Sequence, residues 1–432
     1  MYRYVFEKLK EWKNNPNKKP LILNGARQVG KTWLMLELGK LYKDSIYINF
    51  DNEPELDDIF QKDIRPFSLI EKIQAHYQKR ITEETLIIFD EIQETPRAIT
   101  SLKYFNEEMP RLSIICAGSL LGLSVHKGVG SPIGKTEYLN VYPLNFSEFL
   151  LATGREILLE NIQQKKWDIL SSVKQICESA LKEYYYVGGM PACVLAFSEN
   201  RDFFKVRDIQ NDILKGYDSD FTKHSEFSLS ERIREVWRTI PSQLAKENKK
   251  FIYGIIREGA RAKEYEMAIN WLRDCGLIYQ VNRVTNPDIP LEAYKEQRNF
   301  KMYISDVGLL CAKCRIELKD IFTENKVLMM FKGSVTEQFV CQELVNQKTD
   351  FAYYTNDRNS CEVDFIAKLG NGIVPIEVKA DINLQAKSLK TYMEKYKPEY
   401  AVRLSLADYK ETDNLYDIPL YAICKLREIL NS

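Results

Sequence analysis

The stretch Leu21-Ile-Leu-Asn-Gly25-Ala-Arg-Gln-Val-Gly30-Lys31-Thr32 decides the fold. A short apolar run ends in a glycine, and the residues from Gly25 onward fit the pattern G-x4-G-K-[ST]. The run predicts a buried strand, and Thr32 opens a predicted helix. Glycine at 25 and 30 lets the backbone wrap closely around phosphates, while loop N–H groups and the helix N-terminus supply positive potential. The expected nucleotide-binding residues are therefore Gly25, Ala26, Arg27, Gln28, Val29, Gly30, Lys31 and Thr32. Lys31 is expected to reach the β and γ phosphates, and the Thr32 hydroxyl to ligate magnesium.

Outward from this loop, apolar runs recur at 45–50 (SIYINF), 86–90 (LIIFD), 112–118 (LSIICAG) and 137–144 (EYLNVYPL). Helix-like stretches at 66–80 and 96–109 lie between them. Buried strands alternating with helices predict a five-stranded parallel sheet covered on both faces. The third run ends in adjacent carboxylates. Asp90 is expected to hold the magnesium, and Glu91 to orient and deprotonate the attacking water. Alone, an Asp-Glu pair at a strand end is a solvated turn; beside a P-loop it becomes a catalytic pair. The next strand ends in Ala117-Gly118-Ser119, and Ser119 is the candidate sensor of the γ-phosphate.

The composition narrows the function classes. Of 432 residues, 45% are hydrophobic and 28% charged, enough apolar surface for about three cored domains. Lys plus Arg and Asp plus Glu are both 61, which argues against a coat of positive charge for constitutive nucleic-acid binding. Only His76, His126 and His224 are present, far apart, so a multi-histidine zinc centre is excluded. Nine scattered cysteines point to a reducing compartment; the one close pair, Cys311 and Cys314, lacks a second pair and is a weak metal or redox signal. The N-terminus MYRYVFEKLKEW lacks the apolar stretch of a signal peptide, and no apolar run spans a membrane. The expected location is the cytoplasm.

GARQVGKT, LIIFDEIQ, AGSLLG, YPLNFSEFL at 142–150 and YYYVGGMPACV at 184–194 occur in an order that resembles the AAA-type ATPases of the STAND-like group found in bacteria and archaea. In that group a P-loop domain precedes a winged helix. The resemblance covers about residues 18–215 and implies ATP rather than GTP, since no Asn/Thr-Lys-x-Asp motif is visible. It also implies an arginine supplied between subunits, hence self-association. Relatives often carry that arginine before YPLNF; this chain has Lys135, and Arg97 and Arg155 are substitutes.

Amphipathic helix patterns at 228–248 and 261–275 precede strand-like runs at 277–284 and 300–306, which together suggest a winged helix-turn-helix. Arg261 and Lys263 open its candidate recognition helix. Residues 228–266 carry nine Lys/Arg against six Asp/Glu, a mild basic excess suited to phosphate contact. The bland reading is a module that packs on the ATPase and relays its state.

CEVDFIAKLGNGIVPIEVKA, residues 361–380, reads as two strands joined by Gly370-Asn371-Gly372. Period-two alternation puts Glu362 and Asp364 on one face and Glu377 with Lys379 on one face of the next strand. Asp364 and Glu377 are the candidate metal ligands of a second catalytic site, with Lys379 stabilising transition-state charge; Glu337, on a helix at 334–346, is a candidate third carboxylate. The arrangement resembles the PD-(D/E)xK nuclease superfamily over about residues 330–432, with Val363 where the proline would stand. It also resembles the C-terminal domain of unknown function that commonly follows this kind of ATPase.

The expectation is an α/β protein in four parts. These are an AAA-type P-loop core (1–150), a helical lid (151–225), a winged helix-turn-helix (226–315) and a restriction-endonuclease-like α/β domain (316–432). Its expected function is magnesium-dependent ATP binding with slow hydrolysis, working as a nucleotide-driven switch associated with DNA through the winged helix and C-terminal domain. The alternative is an ATP-gated DNA nuclease using Asp364, Glu377 and Lys379.

Overall fold

The computed structural model describes residues 1–53, 55–118, 134–223, 227–246, 248–322, 329–356, 360–382 and 386–430. They divide into two compact units: Tyr2–Tyr142 with Asp274–Leu277, and Pro143–Arg273 with Ile278–Ser432.

The first unit is built on five parallel strands: β1 (Leu21–Asn24), β2 (Asp44–Asn49), β3 (Thr85–Asp90), β4 (Ser113–Ala117) and β5 (Glu137–Asn140). Their order is β2-β3-β4-β1-β5. Strands β3 and β4 are buried at every residue, as runs covered by helices on both faces must be. Ile46, Ile48, Phe50, Phe60, Ile87, Phe89, Leu102 and Ile114 pack one side of the sheet. Strand β5 stops at Asn140, earlier than the run 137–144 predicts. Val141 N–H still bonds Asn24 O at 2.7 Å, but Pro143 has no N–H to continue the ladder. Ser119 lies outside the described residues.

The second unit contains an eight-stranded sheet in the order β12-β13-β11-β10-β9-β8-β6-β7. Its strands are β6 (Ile278–Val284), β7 (Glu296–Ile304), β8 (Phe351–Thr355), β9 (Glu362–Leu369), β10 (Gly372–Val378), β11 (Ala401–Ser405), β12 (Lys410–Thr412) and β13 (Leu415–Pro419). The helices Phe227–Leu244 and Ala262–Asp274 precede the antiparallel ribbon β6–β7. The ribbon does not end as a free wing. Strand β6 pairs in parallel with β8 at Arg283↔Tyr353 and Val284↔Tyr354, so the sheet runs across the boundary expected at 315/316. The compact units divide after Tyr142, and residues 151–225 share a unit with this sheet.

One buried polar network joins the motifs YPLNFSEFL and YYYVGGMPACV. Leu144 N–H bonds Gly189 O at 2.7 Å, and Tyr184 OH donates to Leu144 O at 2.5 Å. A Cβ on Gly189 would stand 2.0 Å from Leu144 O, so only glycine admits this approach. Asp306 caps the helix Val307–Lys313 through Leu309 N–H and also accepts from Gly189 N–H at 2.6 Å. The helix Met329–Asn346 supplies the rest. Gln338 exchanges bonds with Ile304 N–H and O, and Gln342 takes Val307 N–H and donates to Tyr184 OH. Glu343 accepts from Phe146 N–H at 2.8 Å, at the start of a helix whose N-terminus also carries an Asn145–Glu148 capping box.

Burial pushes Asp306 up to about 6 against the pull of three backbone N–H groups, and pushes Glu343 up to about 8, with Glu148 adding to it. A raised folded pKa means the folded state holds its proton more tightly than the unfolded chain. That stabilisation is complete below the unfolded value, near 4.5 for Glu343, and is lost as pH rises to about 8. Glu343→Gln keeps an acceptor for Phe146 N–H but cannot ionise. Its Tm relative to wild type is therefore expected to climb between pH 5 and pH 8; a constant difference in melting curves across that range would refute the raised value.

Candidate functional site

The P-loop is shaped by its neighbours. A Cβ on Gly25 (φ +151°) would meet Val141 O at 2.1 Å, and Gly30 (φ +94°) turns the chain into the helix Lys31–Gly39. Gln28 also lies at positive φ, 68°. Arg3 is almost fully buried and donates to Val29 O at 3.1 Å and Tyr142 O at 2.7 Å, which braces the loop from the N-terminal segment. Lys31 Nζ donates to Gly25 O and Ala26 O, both at 2.8 Å, and so curls over the loop it serves. Burial lowers its pKa to about 8, partly offset by Glu91 and Asp90, so the ammonium form persists at neutral pH.

The end of β3 meets this loop. Thr32 Oγ1 donates to Asp90 Oδ2 at 2.7 Å, so the two oxygens expected to share magnesium are already together. Hard oxygen donors of this kind suit that ion. Glu91, at φ +48°, points its carboxylate to Gln93, whose Nε2 donates to Oε2 at 2.7 Å. Gln93 Oε1 is buried with no partner.

Sequence reading missed several of these residues. Tyr47 OH donates to Asp90 Oδ2 at 2.9 Å and in turn accepts from Asn49 Nδ2 at 3.3 Å. Burial, then the Asp90 charge, raises the Tyr47 phenol to about 12, which keeps it a donor. Alternation along β2 was the available signal, since Ile46 and Ile48 turn inward and put Tyr47 and Asn49 on the opposite side. Gly276 had no such signal: it lies 245 residues beyond Lys31 in sequence, yet a Cβ there would be 3.1 Å from Ala26 N.

The basic residues weighed for the arginine role are engaged within the chain. Lys135 pairs with Glu107 at 3.0 Å, and Arg97 Nε donates to Phe60 O at 2.9 Å. Arg155 is held by Glu183 at 2.5 Å and by Thr153 Oγ1. In the second unit Arg261 and Lys263 are exposed at the start of Ala262–Asp274. Cys311 is fully buried and Cys314 partly so. Burial pushes the Cys311 thiol up and Cys314 to about 12, so neither is an activated thiolate.

The C-terminal hairpin forms as expected. The register Ile376↔Phe365 carries Glu377 opposite Asp364, and Val378 N–H donates to Asp364 Oδ2 at 2.8 Å. Lys379 Nζ bonds Glu377 Oε1 at 2.7 Å, and Glu377 Oε2 is buried without a partner. Strand β10 is buried on both sides from Val374 to Val378, so Glu377 is not on a solvent face. Glu337 is also buried, but its carboxylate is taken by Lys249 Nζ, by Tyr303 OH at 3.2 Å and by Lys301 Nζ at 3.8 Å. The third carboxylate is thus spent on cations rather than left for a metal. Burial and the neighbouring carboxylates push Asp364 and Glu377 up; burial also presses on Glu337, but Lys249 and Lys301 outweigh it and hold it down. Among the described residues, no three His, Cys, Asp or Glu side chains are grouped to hold a metal ion. No helix among them is long and apolar enough to cross a membrane.

Comparison with known families matches residues 17–150 to an AAA domain. Two domains of unknown function also match, DUF8612 at 178–320 and DUF4143 at 332–423. Curated proteins return no match. Among solved structures, the Walker-type ATPase of Pyrococcus abyssi is 18% identical with a TM-score of 0.45, covering 72% of this chain and 95% of that one. AMPPCP-bound DnaA from Aquifex aeolicus is 15% identical at TM-score 0.30 (63% and 86% covered). The ORC1 protein of Aeropyrum pernix in complex with DNA is 14% identical at 0.28 (72% and 90%).

Proposed function

We propose that this chain, whose residues 17–150 form an ATP-binding domain of the AAA type, is a slow magnesium-dependent ATPase that works as a nucleotide-driven switch. The carrying observation is the junction of Thr32 with Asp90 beneath a glycine-shaped loop that holds the buried Lys31. Gly25, Ala26, Arg27, Gln28, Val29 and Gly30 would offer backbone to the phosphates, with Lys31 as the point charge. Thr32 and Asp90 would hold magnesium, which screens phosphate charge when bound. Glu91 would take a proton from water once it leaves Gln93. Self-association, DNA contact through the exposed Arg261 and Lys263, and a cytoplasmic location belong to the same reading.

Lys31→Ala removes the charge that meets the triphosphate, so calorimetric titration with Mg-ATP is expected to lose the tight binding seen with wild type. Unchanged affinity in a folded variant would sink the assignment.

The second reading is an ATP-gated DNA nuclease in the C-terminal part. One observation favours it: Asp364 stands opposite Glu377, with Lys379 bonded to that glutamate. Its cation does not fit the side chains present, because Glu337 is already neutralised by Lys249 and Lys301. No metal-dependent cleavage step is therefore assigned to this face.

A further inference from the structure

Two carboxylates of the C-terminal constellation, Glu337 and Glu362, are met by ammonium groups drawn from outside the hairpin. Lys301, on β7, is fully buried; its Nζ lies 2.6 Å from Glu362 Oε1 and 3.8 Å from Glu337 Oε2. It also sits 5.0 Å from the Tyr353 ring centroid, which favours a cation there. Lys249 comes from the segment after the helix Phe227–Leu244 and pairs with Glu337 with only 12% of its side chain exposed. The neighbouring Lys250 bridges to Lys301 through the backbone. Lys379 completes the set on Glu377. Four carboxylates (Glu337, Glu362, Asp364, Glu377) thus face three ammonium groups in a largely dry environment.

A buried carboxylate needs a compensating positive charge, and either a divalent cation or a lysine supplies it. Both cannot crowd the same acids without strong repulsion in a low-dielectric site. We propose that Lys301, assisted by Lys249, stands in for the divalent cation of this nuclease-like face. The constellation is then a metal-free charge clasp that fastens β7 and the 249–250 segment to strand β9 and the helix Met329–Asn346. The inference rests on the second reading only for the pairing of Asp364 with Glu377. It assigns the face to holding the sheet together rather than to cleavage.

The test uses the full chain without nucleotide and reads Mn2+ binding by electron paramagnetic resonance and calorimetry at millimolar metal. Wild type is expected to show no Mn2+ site sensitive to Asp364→Asn. Lys301→Met removes the charge while keeping an unbranched apolar side chain. It is expected to gain a Mn2+ site at least tenfold tighter than any in wild type, lost again on adding Asp364→Asn. A wild-type Mn2+ site abolished by Asp364→Asn overturns the proposal and leaves the nuclease reading standing. A folded Lys301→Met chain with no gained site also overturns it. Should that variant fail to fold, the wild-type arm still decides. Cleavage of linear or circular DNA by wild type with Mg2+ or Mn2+, abolished by Glu377→Gln, separates failure of the clasp from failure of the nuclease reading: with cleavage the clasp falls, and without cleavage or a wild-type Mn2+ site it holds unless a folded Lys301→Met chain gains no site.

Discussion

Glu91→Gln is expected to slow ATP turnover by about 10²-fold or more while leaving ATP affinity within a small factor of wild type. The substitution keeps the side chain's length and an acceptor for Gln93, whose amide lies 2.7 Å from the carboxylate. What it removes is the capacity to take a proton. The adjacent Thr32 and Asp90, proposed to hold magnesium, are untouched, so binding is expected to survive. Gln93→Ala provides the comparison. It leaves the base in place but removes the amide that donates to it, so turnover should fall by less than in Glu91→Gln. Steady-state phosphate release, with affinity measured separately, reads both variants. Equal turnover in wild type and Glu91→Gln would dismiss Glu91 as the base.

Gly189→Ala is expected to destabilise the larger unit by roughly 3 kcal/mol, at the upper end of what overpacking costs. Its added carbon would stand 2.0 Å from Leu144 O and 2.8 Å from Leu144 N, both main-chain atoms held by hydrogen bonds. Neither can yield without breaking the Leu144–Gly189 bond or the Tyr184 bond to the same carbonyl. Two controls divide the causes. Gly154 has φ +72° but no neighbour within 4 Å, so Gly154→Ala carries only left-handed strain, about 1 kcal/mol. Gly372→Ala meets neither obstacle and should be close to neutral. Thermal unfolding followed by circular dichroism ranks the three. A Gly189→Ala chain as stable as Gly372→Ala would show that the close approach does not exist.

The P-loop unit of the molecule was legible because its chemistry is local. The turn at Gly25–Thr32 and the run ending in Asp90-Glu91 each declare a strand, a loop and a polar tip within a few residues. Parallel pairing then brings the tips of β1 and β3 to one end of the sheet whatever the connecting helices contain. Period-two alternation likewise placed Asp364 and Glu377 together, since a two-strand hairpin with a short glycine turn has its register set by that turn.

The tertiary structure alone decided the rest. Gln338, Gln342 and Glu343 read as the polar side of a surface helix, yet all three are buried, because each pairs a main-chain group that would otherwise be orphaned. The ribbon β6–β7 looks like a free wing until β8, some seventy residues later in sequence, pairs with it. Lys301 reads as one charged residue in an apolar strand, and only long-range folding sets it against Glu362 and Glu337. By itself the sequence determined the phosphate loop, the acidic strand end and the hairpin, where interacting residues are neighbours or are linked by one regular element. Which charges neutralise which, and which polar groups are buried, depends on segments brought together across hundreds of residues, and no local pattern encodes that pairing.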